Sequence, residues 1–296
     1  MIAAIRIAAG VIAALVLLRL VILTLEPWLT FFPQRDLFLT PAGVGLLHED
    51  VAVVTADGVR LRGWFVPAPA TATPAPVLLV FHGNAETIAH GLDLATRAHG
   101  AGFAVLLAEY RGYGGNPGSP SEEGIARDGL AFAAAAEERA GGAPVVLWGR
   151  SIGASVAVRL AVAGHGAAVI LESPFTSARD LLRDQGAWLF LALSYLGSYR
   201  FDAAAHMAEV RVPVLVIHGT RDEIAPFAHG RRIFDLAPGP KEIVALEGGG
   251  HNDLWARHAD ALWAGAERFV RALPTATATP SRPGASAPAA GPDQDG

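Results

Sequence analysis

From about residue 50 to residue 272 the chain alternates two kinds of apolar pattern. Short continuous apolar runs at 77–81 (VLLVF), 103–107, 144–148, 167–171, 213–217 and 242–246 read as strands covered on both faces. Between them lie Ala-rich stretches of helical length at 85–99, 121–139, 152–163, 227–236 and 254–273. Ahead of these, residues 51–55 and 59–66 flank Asp57-Gly58, a strong short-loop hairpin signal. A hairpin followed by repeated strand–helix units predicts an α/β fold. The expected architecture is a doubly wound, mostly parallel eight-stranded sheet with helices on both faces, in a body spanning residues 31–273. Functional groups in such sheets gather beyond the carboxyl ends of the strands.

The two ends of the chain follow neither pattern. Residues 7–18 carry no polar side chain, Arg19 interrupts, and 20–25 are apolar except for Thr24. A spanning helix needs about 20 mainly apolar residues, so residues 7–25 are just long enough. Arg19 would cost about 2.5 kcal/mol or more at mid-bilayer, but close to the end of the span it can snorkel. No small-x-small cleavage site follows Leu25. Pro27 is expected to end the helix, and Trp28, Phe31 and Phe32 to form an interfacial aromatic belt. The expectation is a single uncleaved membrane anchor over residues 1–30, with a helix lying on the surface as the alternative. Arg6 before the span and Arg35 after it slightly favour a cytoplasmic N-terminus with the body on the other side. Residues 274–296 are Pro, Ala, Thr, Ser and Gly with almost nothing to bury, and are expected to be a disordered tail. Residues 67–76 (PAPATATPAP) have the same flavour and read as a loop.

Composition removes several classes of function. The 296 residues include no Cys, which excludes a thiol nucleophile, a Cys-ligated zinc and a disulfide framework. A formal charge of −5 without a basic cluster offers nucleic acid no electrostatic footing. No His, Asp or Glu grouping has metal-ligand spacing, so no metal is expected.

The chemistry concentrates at three strand ends. The run 145–148 leads into Gly149-Arg150-Ser151-Ile152-Gly153, and a helical stretch follows at once. This is G-x-S-x-G in the strand–turn–helix context that holds the Ser in a strained turn above the sheet. Ser151 is the expected nucleophile; the bland alternative is a Ser that merely caps the helix. A Ser hydroxyl needs a base, and the base an orienting acid, here expected in the chain order Ser, acid, His. The run 213–217 leads to Asp222 and the run 242–246 to His251, the latter beyond Gly248-Gly249-Gly250. Glu223 and Asp202 are the rival acids and His218 the rival base, although His218 more naturally packs beneath Asp222. Two oxyanion donors are needed, each worth about 3–4 kcal/mol. The expected donors are the backbone N–H groups of Ile152 and of Asn84, the latter in the loop His82-Gly83-Asn84 after the run 77–81. A strand-to-helix turn with an Asn cap is the alternative reading of that loop.

FHGNAET (81–87), EYRGYGGNPGSPSEEG (109–124), GRSIGA (149–154), VPVLVIHGTRDEIAPF (212–227) and GGGHND (248–253) together resemble the α/β-hydrolase superfamily. Within it they look like the membrane-anchored hydrolase-domain proteins related to depalmitoylases and lysophospholipases. The resemblance covers roughly residues 50–272. It implies Ser151, Asp222 and His251 as the triad, Asn84 and Ile152 as the oxyanion hole, and hydrolysis of carboxylic esters or thioesters without a cofactor. One departure matters: the animal depalmitoylases attach through a Cys-rich N-terminus, and this chain has no Cys. Their particular substrate is therefore not carried over.

Two further segments bear on substrate. Arg111, Tyr110 and Tyr113 sit in a Gly-rich loop where an Arg or Tyr could touch substrate, or where the loop is simply shaped for packing. Residues 176–210 include an apolar helical stretch at 188–196, read as a small helical cap over an acyl pocket, with an ordinary packed helix as the alternative. The expected protein is a monomeric, membrane-anchored serine hydrolase acting on a small-molecule or lipid acyl ester. The rivals are a serine peptidase of the same fold and a non-catalytic binding protein.

Overall fold

The computed structural model describes residues 1–70 and 74–274. The tail expected at 274–296 therefore lies outside the described residues from 275 onward, as do residues 71–73 of the 67–76 loop.

Among the described residues the strands form one eight-stranded sheet in the order β1-β2-β4-β3-β5-β6-β7-β8. The strands are β1 (Glu49–Val54), β2 (Arg60–Val66), β3 (Val77–Phe81), β4 (Ala104–Ala108), β5 (Val145–Arg150), β6 (Ala168–Glu172), β7 (Val214–Gly219) and β8 (Lys241–Leu246). The Asp57-Gly58 hairpin joins β1 and β2 antiparallel, β2 pairs antiparallel with β4, and the rest of the sheet is parallel. Every residue of β3, β4, β6 and β7 is buried, which is why these strands read as unbroken apolar runs rather than alternating ones. Their side chains still alternate between two cores. Leu79, Phe81 and Leu147 join Phe132, Val156 and Leu160, whereas Leu78, Val80 and Trp148 join Leu94, Leu262 and Phe269.

Helices α3 (Glu122–Ala140) and α4 (Ile152–Val162) cover one face; α2 (Leu92–Gly100) and α9 (Leu254–Arg271) cover the other. Local chemistry sets several of their ends. Ser121 caps α3 by accepting from the Gly124 N–H at 3.0 Å, and Gly141 closes it in the left-handed region. Between β6 and β7 lie three short helices, α5 (Ala178–Asp184), α6 (Trp188–Ser194) and α7 (Ala203–Met207), followed after β7 by α8 (Phe227–Leu236).

The N-terminal helix α1 runs from Ile2 to Thr30 and carries Pro27 inside it. Pro27 thus does not end the helix. Its ring removes one donor, but the last turn continues, closed by the Phe31 N–H bonding to the Pro27 carbonyl at 2.9 Å. Contacts with the body hold this turn. The Glu26 carboxylate accepts from the Ser198 and Tyr199 N–H groups and the Ser198 hydroxyl at 2.7–2.9 Å. The Thr30 carbonyl, which has no partner within the helix end, accepts from Asn84 Nδ2 at 2.7 Å. The expected aromatic belt is corrected at Phe31. It is 4% exposed and packs edge-on against Tyr199 and Phe201, while Trp28 and Phe32 remain exposed. Among the described residues α1 alone is long and apolar enough to cross a membrane.

Candidate active site

The carboxyl ends of β3, β5, β7 and β8 bring together residues far apart in the chain. Ser151 follows β5 directly, with φ 52° and ψ −115°, a backbone conformation that L residues rarely adopt. Its N–H bonds to the Glu172 carbonyl at 2.9 Å, fixing the turn against β6. The glycines on either side are sterically required. A Cβ on Gly149 would meet the backbone of Gly153 and Ala154, and one on Gly153 would meet the carbonyls of Phe81 and His82. The close crossing of the elbow over β3 is what turns Ser151 outward.

Ser151 Oγ lies 3.2 Å from His251 Nε2, and His251 Nδ1 lies 2.7 Å from Asp222 Oδ2. An ionised carboxylate can only accept, so the proton of His251 sits on Nδ1 and leaves Nε2 free to accept the serine hydroxyl. Asp222 is buried, which by itself would raise its pKa. Hydrogen bonds from His218 and His251, with the Ala225 N–H, instead hold its carboxyl well below the usual carboxylate range. Asp222 Oδ1 accepts from Ile224 and Ala225 N–H at 2.9 and 2.7 Å, so both its oxygens are engaged.

The rival residues occupy supporting positions. His218 is fully buried beneath Asp222, its Nε2 shared between the Ala225 carbonyl at 2.7 Å and Asp222 Oδ2 at 3.1 Å. Glu223 accepts from the backbone N–H of His251 at 3.4 Å. Asp202 caps α7 by accepting from Ala205 N–H at 2.9 Å. Asp253 precedes α9 and accepts from the Gly250 N–H at 2.7 Å, which braces the glycine run before His251.

The loop after β3 lies against the elbow: a Cβ on Gly83 would stand 3.6 Å from Ser151 Cβ. Ile152 opens α4 immediately after the serine. The Asn84 side chain does not cap a helix. Its Oδ1 accepts from Phe32 N–H at 3.0 Å, Ala85 N–H at 3.2 Å and the Tyr113 hydroxyl at 2.7 Å, while Nδ2 holds the Thr30 carbonyl. These bonds fix the loop from both sides, with Ala85 in the left-handed region at φ 58°. His82, one residue before the turn, is buried and bonded at both ring nitrogens, to the Gly83 carbonyl at 2.8 Å and to Glu109 Oε1 at 2.7 Å.

Sequence reasoning missed the network around Arg150, the variable residue of the elbow. Its guanidinium pairs with Glu86, lies 3.2 Å from Glu172 Oε1, and donates to the His251 carbonyl at 3.0 Å and to Asn252 Oδ1 at 3.2 Å. Glu86 in turn accepts from the Gly83 N–H at 2.7 Å. One side chain therefore ties the loop after β3 to the loop that carries His251. The only signal in the sequence was a charged residue inside the motif, with nothing to name its partners.

Arg111 goes the other way. It is 6% exposed and engaged with Asp128 and Asp57, at 2.7–3.0 Å. Tyr110 and Tyr113 are also buried, their hydroxyls bonded to the His82 carbonyl and to Asn84. Of the two readings of this loop, packing is the one the geometry carries.

Comparisons with known proteins agree with this architecture. Residues 72–201 match the family model described as serine aminopeptidase, S33. An uncharacterized protein of Mycobacterium tuberculosis is 41% identical over 231 residues, covering 76% of this chain and 80% of that protein. The lysophosphatidylserine lipase ABHD12 of Danio rerio is 33% identical over 186 residues, 57% of this chain and 49% of that one. Among solved structures, the Pyrococcus furiosus esterase Pf2001 superposes with a TM-score of 0.68 at 17% identity, covering 81% of this chain and 98% of that chain.

Proposed function

The chain belongs to the α/β-hydrolase family and is a hydrolase, and from that premise we propose that it is a membrane-attached serine esterase acting on lipid-like acyl esters or thioesters. The observation that carries the reading is the unbroken relay from Ser151 Oγ to His251 Nε2 at 3.2 Å and from His251 Nδ1 to Asp222 Oδ2 at 2.7 Å, on a strained elbow. The lipase and esterase relatives support ester chemistry, and the apolar helix α1 supports attachment to a membrane.

In this mechanism His251 Nε2 takes the Ser151 hydroxyl proton as Oγ attacks the acyl carbonyl. The carbonyl π electrons move onto oxygen, where the N–H groups of Ile152 and Asn84 stabilise the oxyanion. Collapse re-forms the carbonyl and expels the alcohol or thiol, which receives the proton from His251. A water molecule, deprotonated by His251, then attacks the acyl-enzyme; release of the acid returns the proton to Ser151. Asp222 holds the imidazole in its productive tautomer and stabilises the imidazolium. The segment 176–210 acts as the cap beside the site.

A fluorophosphonate probe is expected to label the purified protein and to leave Ser151→Ala unlabelled. With p-nitrophenyl esters of increasing acyl length, kcat/KM is expected to rise from acetate toward longer chains. A folded wild type that resists labelling overturns the serine mechanism; a flat profile overturns the lipid-like substrate. The match to a model described as a serine aminopeptidase favours a second reading, peptidase activity. Hydrolysis of aminoacyl p-nitroanilides faster than of the corresponding esters would select it.

A further inference from the structure

From Met1 to Val21 every residue of α1 is exposed, and from Ile22 onward one side of the helix is shielded by the body at Ile22, Leu23, Glu26, Pro27 and Thr30. The free stretch from Ile2 to Val21 rises about 30 Å at 1.5 Å per residue, the thickness of a bilayer's hydrocarbon core. Arg19 lies at its body-side end and Arg6 near the other, where both can reach toward headgroups. The body therefore begins where the lipid hydrocarbon would end.

What lies at that level is the cap. Glu26, about 8 Å further along the helix axis, bonds Ser198 and Tyr199, only a few residues after α6. Helix α6 has Leu191 buried, but Trp188, Leu189 and Phe190 are 50–68% exposed, and Tyr195 just beyond it is 60% exposed. Trp28, Leu29 and Phe32 are exposed on the last turns of α1 and its exit. Soluble surfaces rarely cluster this many large apolar side chains, and Trp and Tyr among them favour the headgroup zone. The loop carrying Asn84 is tied to Thr30, one turn beyond Glu26.

We infer that α6, Tyr195 and the exit of α1 form a single membrane-contact face, and that the site opens beside it onto the leaflet holding α1. This rests on the esterase reading and specifies its substrate: an acyl ester of a lipid resident in that leaflet, reached along the surface rather than from solution. The Glu26 clamp and the Asn84–Thr30 bond set the height of the site above the hydrocarbon. The partner is the lipid surface itself, because the face is continuous with the helix that would cross it.

The chain has no Cys, so Leu189→Cys introduces a unique thiol for a fluorescent label. Asp260→Cys on α9, across the sheet and 95% exposed at its side chain, is the control. In full-length protein reconstituted into phosphatidylcholine vesicles, nitroxide lipids should quench the label at 189, aqueous iodide the label at 260. The combined variant Trp188→Ser, Leu189→Ser, Phe190→Ser should hydrolyse a long-chain ester embedded in the vesicles about tenfold more slowly, since interfacial binding scales with buried apolar area. Its labelling by fluorophosphonate, which reads Ser151 itself, should persist, and its loss of turnover on the vesicle ester should exceed its loss on soluble p-nitrophenyl butyrate. A label at 189 as open to iodide as that at 260, or a combined variant with undiminished turnover of the vesicle ester, overturns the membrane face and leaves the esterase reading standing. Wild type that neither labels nor turns over butyrate overturns the esterase reading, and the depth measurement still decides the membrane face.

Discussion

Arg111 and Arg150 are each gripped by two carboxylates, yet their networks are built for different purposes. Arg111 joins Asp57 in the hairpin turn to Asp128 on α3, so it fastens two pieces of scaffold. Arg150 joins Glu86 and Glu172 and also reaches the His251 carbonyl, so it fastens the loops around Ser151. In the first network the carboxylate is sealed: Asp128 is fully buried, and the desolvation that raises its pKa outweighs the bonds from Arg111. In the second, Glu172 also receives the indole N–H groups of Trp148 and Trp255, each at 3.0 Å. A charged side chain near a site is therefore classified by what its partners hold, not by its distance from the site along the chain.

The largest effect expected from breaking this contrast is in the scaffold. Arg111→Met leaves Asp128 buried without its cation and should cost about 3–5 kcal/mol in denaturant unfolding. Its kcat/KM per folded molecule should stay near wild type, and a selective loss of activity would undo the distinction. Arg150→Gln should do the reverse. Misplacing the Gly83 and His251 loops by a fraction of an ångström should lower kcat/KM about 10- to 100-fold. Its melting temperature should fall less than that of Arg111→Met, because Glu172 keeps its two indole donors.

The smallest effect separates the two buried aspartates by pH. Asp222 has a folded pKa below its unfolded value of about 3.9, so its stabilisation is full above that pH and is lost as pH falls toward the folded value. Asp128 is shifted upward, so its contribution has the opposite sign: it favours the folded state at low pH and weakens it as pH rises through the interval between the unfolded and folded values. Unfolding free energies measured between pH 5 and pH 2.5 should show a shallower acid loss in Asp222→Asn and a steeper one in Asp128→Asn. Each change is bounded at about 1.4 kcal/mol per pH unit. Identical slopes in both variants would mean that the two carboxylates share one environment.

Much of this was legible along the chain because the relevant signals are local. The buried strands announced themselves as apolar runs, and β3, β6 and β7 fall within a residue or two of 77–81, 167–171 and 213–217. The elbow was legible because Gly149, Ser151 and Gly153 satisfy a steric demand within five residues. Asp222 and His251 were legible as the groups just past strand ends in the expected order. Less so was the exit of α1. Pro27 was read by its own missing donor, whereas the turn survives because Glu26 and Thr30 find partners at Ser198, Tyr199 and Asn84, far away in the chain. Phe31 read as an interfacial aromatic until Tyr199 and Phe201 were found around it.

The sequence by itself determined the α/β architecture, the order of the strands along the chain and the chemical types at their ends, because hydrophobic period, glycine sterics and hydroxyl–imidazole–carboxylate chemistry are properties of short segments. Tertiary structure alone decided which arginine serves the site, which aromatic side chains are core and which face outward, and where the N-terminal helix meets the body. Those outcomes depend on contacts between residues 17 to 173 positions apart, such as Arg111 with Asp128 and Tyr199 with Glu26. Such contacts form only once the sheet has brought its strand ends together, and no local pattern encodes them.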